Sequence, residues 1–542
     1  KYFDAFGYDY TGKKITGRPS IDDWNDVTKR YIGAFAPINA AAWIQDQFSY
    51  QDIKFRLGLR AEQFDANIKV LKDPYLLFPA RTAAEWGKQA QIPSTIGSDY
   101  TVYVDNYKST TPNIVGFRSG STWYNKEGNV LSDPTVLAQA GGRIQPWLVD
   151  PKVDLSKYKL NREAFQDYAP KPIFMPRIWF SFPISEEAEF FANYDVLSQR
   201  PAEGFLATFD DYQFFERNAI DGTLSNPNLR PSRKTSYEVG YKQKLTGSSA
   251  ISFIASYNET RDLIQLKRFY MAFPTSYTAF GNEDFSTAKA FRIEYFLQGF
   301  KHMDIVANYS LLFAEGTGSS ASTSAALVAV NKPSLKTLQP LDVDFRHTFK
   351  IGIDYRYKVD KDNPYDGPVM KIKGKERNVL ENFGVNLQVQ GFSGAPYTAT
   401  ANKNVSQVIG GSVARNNISG TINGQRLPGQ VFADLTIDKN IDIKYTSKSS
   451  GDKKKIPMNI YIACTNVLNT KNVLGVYSNT GLPTDDGFLT SPDGIKRAER
   501  EVNQQAFIDQ YQIRANNPGF YALPRQARLG IRIILTTEKE TN

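Results

Sequence analysis

Residues 237–257, YEVGYKQKLTGSSAISFIASY, alternate apolar and polar side chains on both sides of one tight turn. Tyr237, Val239, Tyr241 and Leu245 fall on one face and Glu238, Gly240, Lys242 and Lys244 on the other, because successive side chains of a strand point to opposite sides. After Thr246-Gly247-Ser248 the alternation resumes, with Ile251, Phe253, Ala255 and Tyr257 against Ser252, Ser256 and Asn258. This pattern predicts two long strands joined by almost nothing. Soluble strands run to about five or six residues, whereas a tilted membrane-crossing strand needs about nine to eleven. Two folds can use such a hairpin: a soluble β-sandwich, with the apolar face against a second sheet, or a membrane-spanning sheet, with that face against lipid. Recurrence along the chain decides between them.

The unit recurs. Ile38 to Tyr50 predicts a strand, Gln51-Asp52 a turn, and Ile53, Phe55, Leu57 and Leu59 alternate with Lys54, Arg56, Gly58 and Arg60 in the return. RIWFSFPISEEAEFFANYDV predicts the next hairpin, turning at Ser185 and Glu186. Beyond Tyr257 a short loop near Phe269 to Thr278 leads to a strand with Phe291, Ile293, Tyr295 and Leu297 on one face, and a turn at Gly299 to one from Met303 to Leu311. Further strands are predicted from Phe345 to Tyr357, Phe383 to Val389, Val431 to Ile443, Ile456 to about Val467, and Leu529 to Leu535, about thirteen in all. Their connections sort by parity. Residues 67–171, 200–233, 316–341, 394–428 and 469–522 are long loops, while the alternate connections are mostly tight, with 359–378 and a Lys-rich turn near 450 as exceptions. Membrane barrels show this asymmetry, and a sandwich has no reason for it. The sequence therefore predicts an all-β fold, a transmembrane antiparallel β-barrel with long extracellular loops. Residues 1–37 are expected to be an extracellular loop segment, 38–535 the strands and loops, including the large loop 67–171, and 536–542 a periplasmic tail.

Composition excludes other classes. Mean hydropathy is −0.42 and no apolar run approaches eighteen residues, which removes transmembrane helices but not strands whose two faces average out. Aromatic residues make up 13%, which favours strands. A single cysteine, Cys464, and two distant histidines, His302 and His347, leave no expected metal site, disulfide framework or cofactor. No arrangement of nucleophile, base and orienting group is legible, so no catalytic residue and no enzyme is expected. The net charge of +9 is spread along 542 residues, which argues against nucleic acid as a partner. Lys1 is not a natural start and no signal peptide precedes it, so a processed or partial product is expected.

Several segments resemble the C-terminal barrel portion of TonB-dependent outer-membrane receptors in the form found in Bacteroidetes. They are WIQDQFSY (43–50) with GLRAEQFD (58–65), PRIWFSFPIS (176–185), NPNLRPSRKTSYEVGYKQKL (226–245), PLDVDFRHTFKIG (340–352), SGAPYT (393–398), TNVLNTKNVLGVYSNTGLPTDDGFL (465–489) and PRQARLGIRIIL (524–535). The resemblance implies location in the Gram-negative outer membrane, against its lipid. It also implies import of a specific ligand through a plugged barrel of about 22 strands, of which these would be the last thirteen or so. The plug, the earlier strands and the N-terminal segment that contacts TonB would lie outside this chain. The ending TTEKETN departs from the family, whose members often stop at an aromatic residue. Two other classes stay open: a structural or assembly scaffold for surface lipoproteins without transport, and a passive porin.

The large loop supplies the candidate ligand-binding residues Trp86, Tyr103, Trp123, Tyr124 and Trp147, with Tyr100 and Tyr107 nearby. Such rings stack on a sugar or an apolar ligand, or else form the loop's own small core. Asp485 and Asp486 suit either Ca²⁺ or water. Asp434, Asp438 and Asp442 recur on the polar face of one strand and are expected to pair with interior Lys or Arg.

Overall fold

The computed structural model describes residues 6–533 and 538–539, apart from 10, 18, 89, 133, 140–143, 157–158, 203, 205, 330–333, 335, 358–363, 373, 410–416 and 447–452. Thirteen long strands follow one another in both sequence and space: β1 (Ile38–Tyr50), β2 (Ile53–Asp65), β3 (Ile173–Ser185), β4 (Ala188–Gln199), β5 (Ser232–Thr246), β6 (Ser249–Phe269), β7 (Tyr277–Phe300), β8 (Met303–Gly316), β9 (His347–Arg356), β10 (Phe383–Phe392), β11 (Gln430–Thr446), β12 (Lys453–Thr465) and β13 (Gln526–Ile533). All neighbours pair antiparallel. Among the described residues neither β1 nor β13 has a neighbour on its outer side, so the sheet ends in two open edges. Among the described residues no helix is long and apolar enough to cross a membrane.

Register carries one apolar face from edge to edge. Phe55 pairs with Phe180, which pairs with Ala192, then Val239, Ala255, Phe291, Leu311 and His347. That row starts near the turn end of β2 and finishes at the loop end of β9, so the pairing is staggered as tilted barrel strands require. Beside it Ile351, Val389 and Ala433 align, and Ile437, Ile462 and Leu529 follow on the last strands. Charged side chains interrupt this face at Asp46, Lys289 and Lys439, and Lys439 reaches past the sheet to donate to the Val379 carbonyl (2.6 Å). The apolar face is uncovered: Val239 is 47% exposed, Ile178 42%, Ile462 50% and Ile531 63%.

The opposite face is polar and cross-linked. Arg292 meets Glu238 at 2.8 Å, and Arg356 clamps Asp438 at 2.7 and 3.1 Å. Three glycines sit directly across from aromatic residues, Gly240 from Phe191 and Gly530 from Tyr461 on this face and Gly391 from Phe349 on the apolar one. A Cβ on any of them would come within 2.2–2.3 Å of the ring. The ring thus covers backbone that glycine leaves bare.

Several expected boundaries shift. Residues 1–37 contain a helix, Ile21–Asn25, where only loop was expected; Ser20 and Asp23 close a capping box around its first turn. The β3–β4 turn is Glu186-Glu187, one residue later than expected, because Ser185 still pairs with Ala188. β6 and β7 extend to 21 and 24 residues, roughly 70 and 80 Å at about 3.4 Å per residue, and so project well beyond their neighbours. β9 begins at His347, leaving Phe345 and Tyr357 outside it. The charged 359–378 connection contains a small hairpin, Val369–Ile372 with Lys375–Asn378. The Lys-rich turn near 450 falls mostly on residues 447–452, outside the described ones, as does Leu535. Glu538–Lys539 of the tail pairs with β12.

Candidate functional site

All the long connections leave the same end of the sheet, and the largest folds into a body of its own. Strands Thr101–Val104, Ile114–Ser119, Thr122–Asn125, Val130–Leu131 and Gln145–Pro146 form a separate five-stranded antiparallel sheet. Its core joins residues far apart in sequence: Ile21 and Trp24 from the N-terminal segment, Tyr212, Phe215 and Ala219 from the helices Phe209–Gln213 and Phe215–Asp221, and Phe269, Phe273 and Tyr277 from the projecting tips of β6 and β7. Asn25 locks the N-terminal helix to the large loop, its side chain donating to the Leu160 carbonyl (2.8 Å) and accepting from the Leu160 N–H (3.0 Å).

At the centre lies Arg118, only 2% exposed. Its guanidinium pairs with Asp73, donates from Nε to the Tyr103 hydroxyl (3.0 Å) and from Nη1 to the Gly120 carbonyl (2.7 Å). It also lies over the Tyr75 ring, 4.4 Å from the centroid, with Tyr103 and Trp123 at 5.7 Å. Such a buried cation requires a counter-charge and satisfied donors. Burial pulls the Arg118 pKa down, but the fields and hydrogen bonds of Tyr103 and Asp73 raise it overall. Tyr75 and Tyr103 are both pushed up to about 12, chiefly by burial, against the opposing pull of Arg118.

This geometry places the five candidate aromatics. Trp86 packs edge-on against Trp147 (4.9 Å), with Arg81 over Trp147 (4.8 Å), and Tyr103 packs against Trp123 (4.6 Å). These four are buried, and their ring faces meet protein neighbours. Tyr124 is half-buried against Tyr100, centroids 5.1 Å apart. The five are therefore brought into one body, four of them as its core.

A second cluster joins residues 394–428 to 469–522. Asp486 is fully buried, accepting from the backbone N–H groups of Gln407 (2.9 Å) and Phe488 (3.1 Å) and from the Tyr511 hydroxyl (2.6 Å). Burial, then the bond to Asp486, raises the Tyr511 pKa. Exposed Asp485 accepts from the Gly487 N–H (2.8 Å). Asp486 thus spends its oxygens on protein donors, and among the described residues no group of three His, Cys, Asp or Glu side chains is placed to hold a metal. On β11, Asp438 holds Arg356 and Asn459 (2.8 Å), and Asp434 accepts from the Asn466 N–H (2.9 Å).

No family model matches this sequence, and no curated protein matches it. Solved structures do. The chain is similar to the ferric-catecholate import receptor Fiu of E. coli K12, at 9% identity and a TM-score of 0.38 over 82% of this chain and 42% of that one. It is likewise similar to the outer-membrane transporter YddB of Escherichia coli (10%, TM-score 0.40, 81% and 51%) and the pyoverdine receptor FpvA of Pseudomonas aeruginosa (9%, TM-score 0.40, 82% and 40%). The chain spans about half the length of these structures, or less.

One feature of the loop body is not foreshadowed by the aromatic set. A cavity of about 120 Å³ opens between the N-terminal segment and the Phe209–Gln213 helix, walled by Trp24, Tyr31, Ile32, Phe35, Phe209 and Tyr212. Its walls come from segments nearly two hundred residues apart. The only sequence signal was Trp24 as a large side chain in an otherwise polar stretch, beside the Ser20-x-x-Asp23 capping pattern.

Proposed function

We propose that this chain is the C-terminal part of an outer-membrane β-barrel receptor of the TonB-dependent, Bacteroidetes-like type, which captures a ligand at its loop end and imports it. The observation that carries the reading is the uncovered apolar face running across thirteen paired strands. A contiguous surface of that kind in water is an aggregation or interaction site; in lipid it is the resting surface of a barrel. The polar, ion-paired face then lines the lumen, and the loop body lies on the cell exterior.

The open edges bear on partners. Backbone groups left unpaired in hydrocarbon cost several kcal/mol each, in order of magnitude, so β1 and β13 require strands that these thirteen do not supply. In this reading they belong to the protein's own N-terminal half, with the plug and the TonB-contacting segment. A surface lipoprotein over the loops is a further proposed partner.

The test is fractionation and uptake. The full-length protein should reside in outer-membrane fractions as a heat-modifiable barrel, and ligand accumulation should be lost when TonB is deleted. Recovery in a soluble fraction would overturn the membrane assignment. Uptake indifferent to TonB would overturn the coupling while leaving the barrel.

A further inference from the structure

The charged connection between β9 and β10 carries a small hairpin, Val369–Ile372 paired with Lys375–Asn378, and every residue described in its two strands is exposed. A lone two-stranded hairpin is marginal in water, so one with no buried side chain calls for a surface to lie on. Its register sorts the side chains, because residues directly opposite each other point to one side and successive residues to opposite sides. Met370 pairs with Arg377 and Ile372 with Lys375, so these four share one face, two apolar and two cationic with no acid. On the other face Lys371 stands across from Glu376 and Val369 from Asn378. Lys373 lies between the strands in sequence, which makes four cations and one acid in residues 369–378. Met370 is 54% exposed and Ile372 47%, and among the described residues no carboxylate pairs with Lys375 or Arg377.

The hairpin is rooted at the rim of the apolar face. The Tyr365 hydroxyl donates to the Pro368 carbonyl (2.8 Å) and accepts from the Leu380 N–H (3.3 Å), which ties its two ends together. Tyr365 packs against Tyr357 (6.0 Å), which packs against His302 (4.4 Å), whose Nε2 lies 3.0 Å from Asp366. Tyr355, across from Met303 and Val385 on the apolar face, donates to the Tyr357 hydroxyl (3.3 Å). Lys439 projects from that same face to the Val379 carbonyl, one residue past the hairpin, and Ile441 and Ile443 continue the face beyond it on β11. Aromatic side chains collect at the rims of a membrane-facing band, and here they collect at the turn end. The hairpin therefore starts and ends on the side of the sheet that carries the apolar band.

We propose that this hairpin lies on the bilayer surface beside the sheet, with Met370 and Ile372 dipping into the leaflet and Lys375 and Arg377 on the phosphates of anionic phospholipid. The inference rests on the membrane reading of the apolar face. Charge selects the lipid: an amphipathic element with a cationic face binds according to the negative headgroups below it, and an Arg fork takes a phosphate through two hydrogen bonds. A zwitterionic surface offers the apolar contact without that attraction.

The experiment places the full-length protein in nanodiscs of phosphatidylcholine alone, or of phosphatidylcholine with phosphatidylglycerol, and follows hydrogen exchange at Met370, Ile372 and Arg377. Phosphatidylglycerol should slow that exchange roughly tenfold or more, and high salt should erase the gain. Two cations at such a surface shift the docked population about thirtyfold, so Lys375→Gln with Arg377→Gln should abolish the difference between the two lipids. Lys371→Gln, on the other face, should leave most of it. Exchange at Val239 and Phe253 separates the two readings. If the main sheet fails to assemble in either nanodisc, the membrane reading falls and this one with it; if it assembles and the hairpin exchanges equally in both lipids, only this proposal falls. A double variant that keeps the difference would overturn it. So would full protection in detergent without lipid, which would mean that the chain covers its own hairpin, or protection by soluble glycerol phosphate, which would make the occupant a free anion.

Discussion

Replacing Asp73 by Asn tests what holds the loop body together. The substitution keeps the shape and one acceptor but removes the counter-charge of a guanidinium that is 2% exposed. Breaking a buried ion pair by removing one partner costs about 3–5 kcal/mol. Here the Asp73 side chain is 27% exposed, and Arg118 keeps the Tyr103 hydroxyl, the Gly120 carbonyl and the Tyr75 ring face. Both facts place the cost at or just below the lower end of that range, about 2–3 kcal/mol. At about 1.4 kcal/mol per tenfold, protection of amides in the loop sheet should fall roughly 30- to 150-fold. Hydrogen exchange at Val102, Tyr103 and Phe117 reads the loop body, and exchange at Val239 and Phe253 in the main sheet serves as the internal control. Adding Arg118→Met to Asp73→Asn removes the stranded charge and places a thioether among the same rings, so the double variant should recover most of the loss. A change below threefold in the single variant, or a double variant worse than the sum of its parts, would refute the account.

Three further outcomes follow from the same geometry. Because Tyr75 and Tyr103 titrate at about 12 in the folded body against about 10 unfolded, the folded state holds their protons longer; their contribution is complete below pH 10 and is lost as pH rises toward 12, by about 3 kcal/mol each, so loop-sheet protection should collapse in that window without change between pH 6 and 9. Ile531, 63% exposed and paired with Ile460 on the apolar face, should not tolerate Arg: Ile531→Arg should cost roughly 2–4 kcal/mol and reduce heat-modifiable barrel, while Arg532→Ile on the polar face should assemble nearly normally, and the reverse ranking would mean that the register is off by one. Protease added to intact cells should cut within 200–233, 394–428 or 469–522 but spare the Val369–Ile372 hairpin, and cleavage near Lys371 in unlysed cells would invert the orientation.

The sheet was legible because its information is local. Each strand carries one apolar and one polar face, so alternation within a dozen residues is enough to find it and to fix which side chains share a side. Alternation fades where that environment ends. The loop expected near Phe269 to Thr278 matches the ends of β6 and β7, but alternation marks these strands only as far as Tyr257 and only from Phe291, because beyond those points they face the loop body, which buries apolar Phe269 and polar Gln265 alike, while pairing continues to Phe269 and Tyr277. The helix at Ile21–Asn25 is too short for any period to show. The loop body was the least legible part. The aromatic set located its core, but the cavity depends on Trp24 meeting Phe209 and on Asn25 meeting Leu160, contacts that no window along the chain contains.

The attachment of the loop body to the sheet limits how it can move. A flap that opens needs a hinge, which is one or two chain crossings whose dihedral angles absorb the rotation. This body is continuous with the ends of β1 through β7, and its core includes Phe269 and Tyr277 at the tips of β6 and β7 themselves. Rotation about any one crossing would strain the others. Kinematically it is therefore a cornice built into the wall rather than a shutter hung from it. In the receptor proposed above, a ligand arriving there would meet a surface whose shape is set before contact, and little ordering entropy would be lost on binding. Discrimination between ligands would then rest on fit rather than on closure.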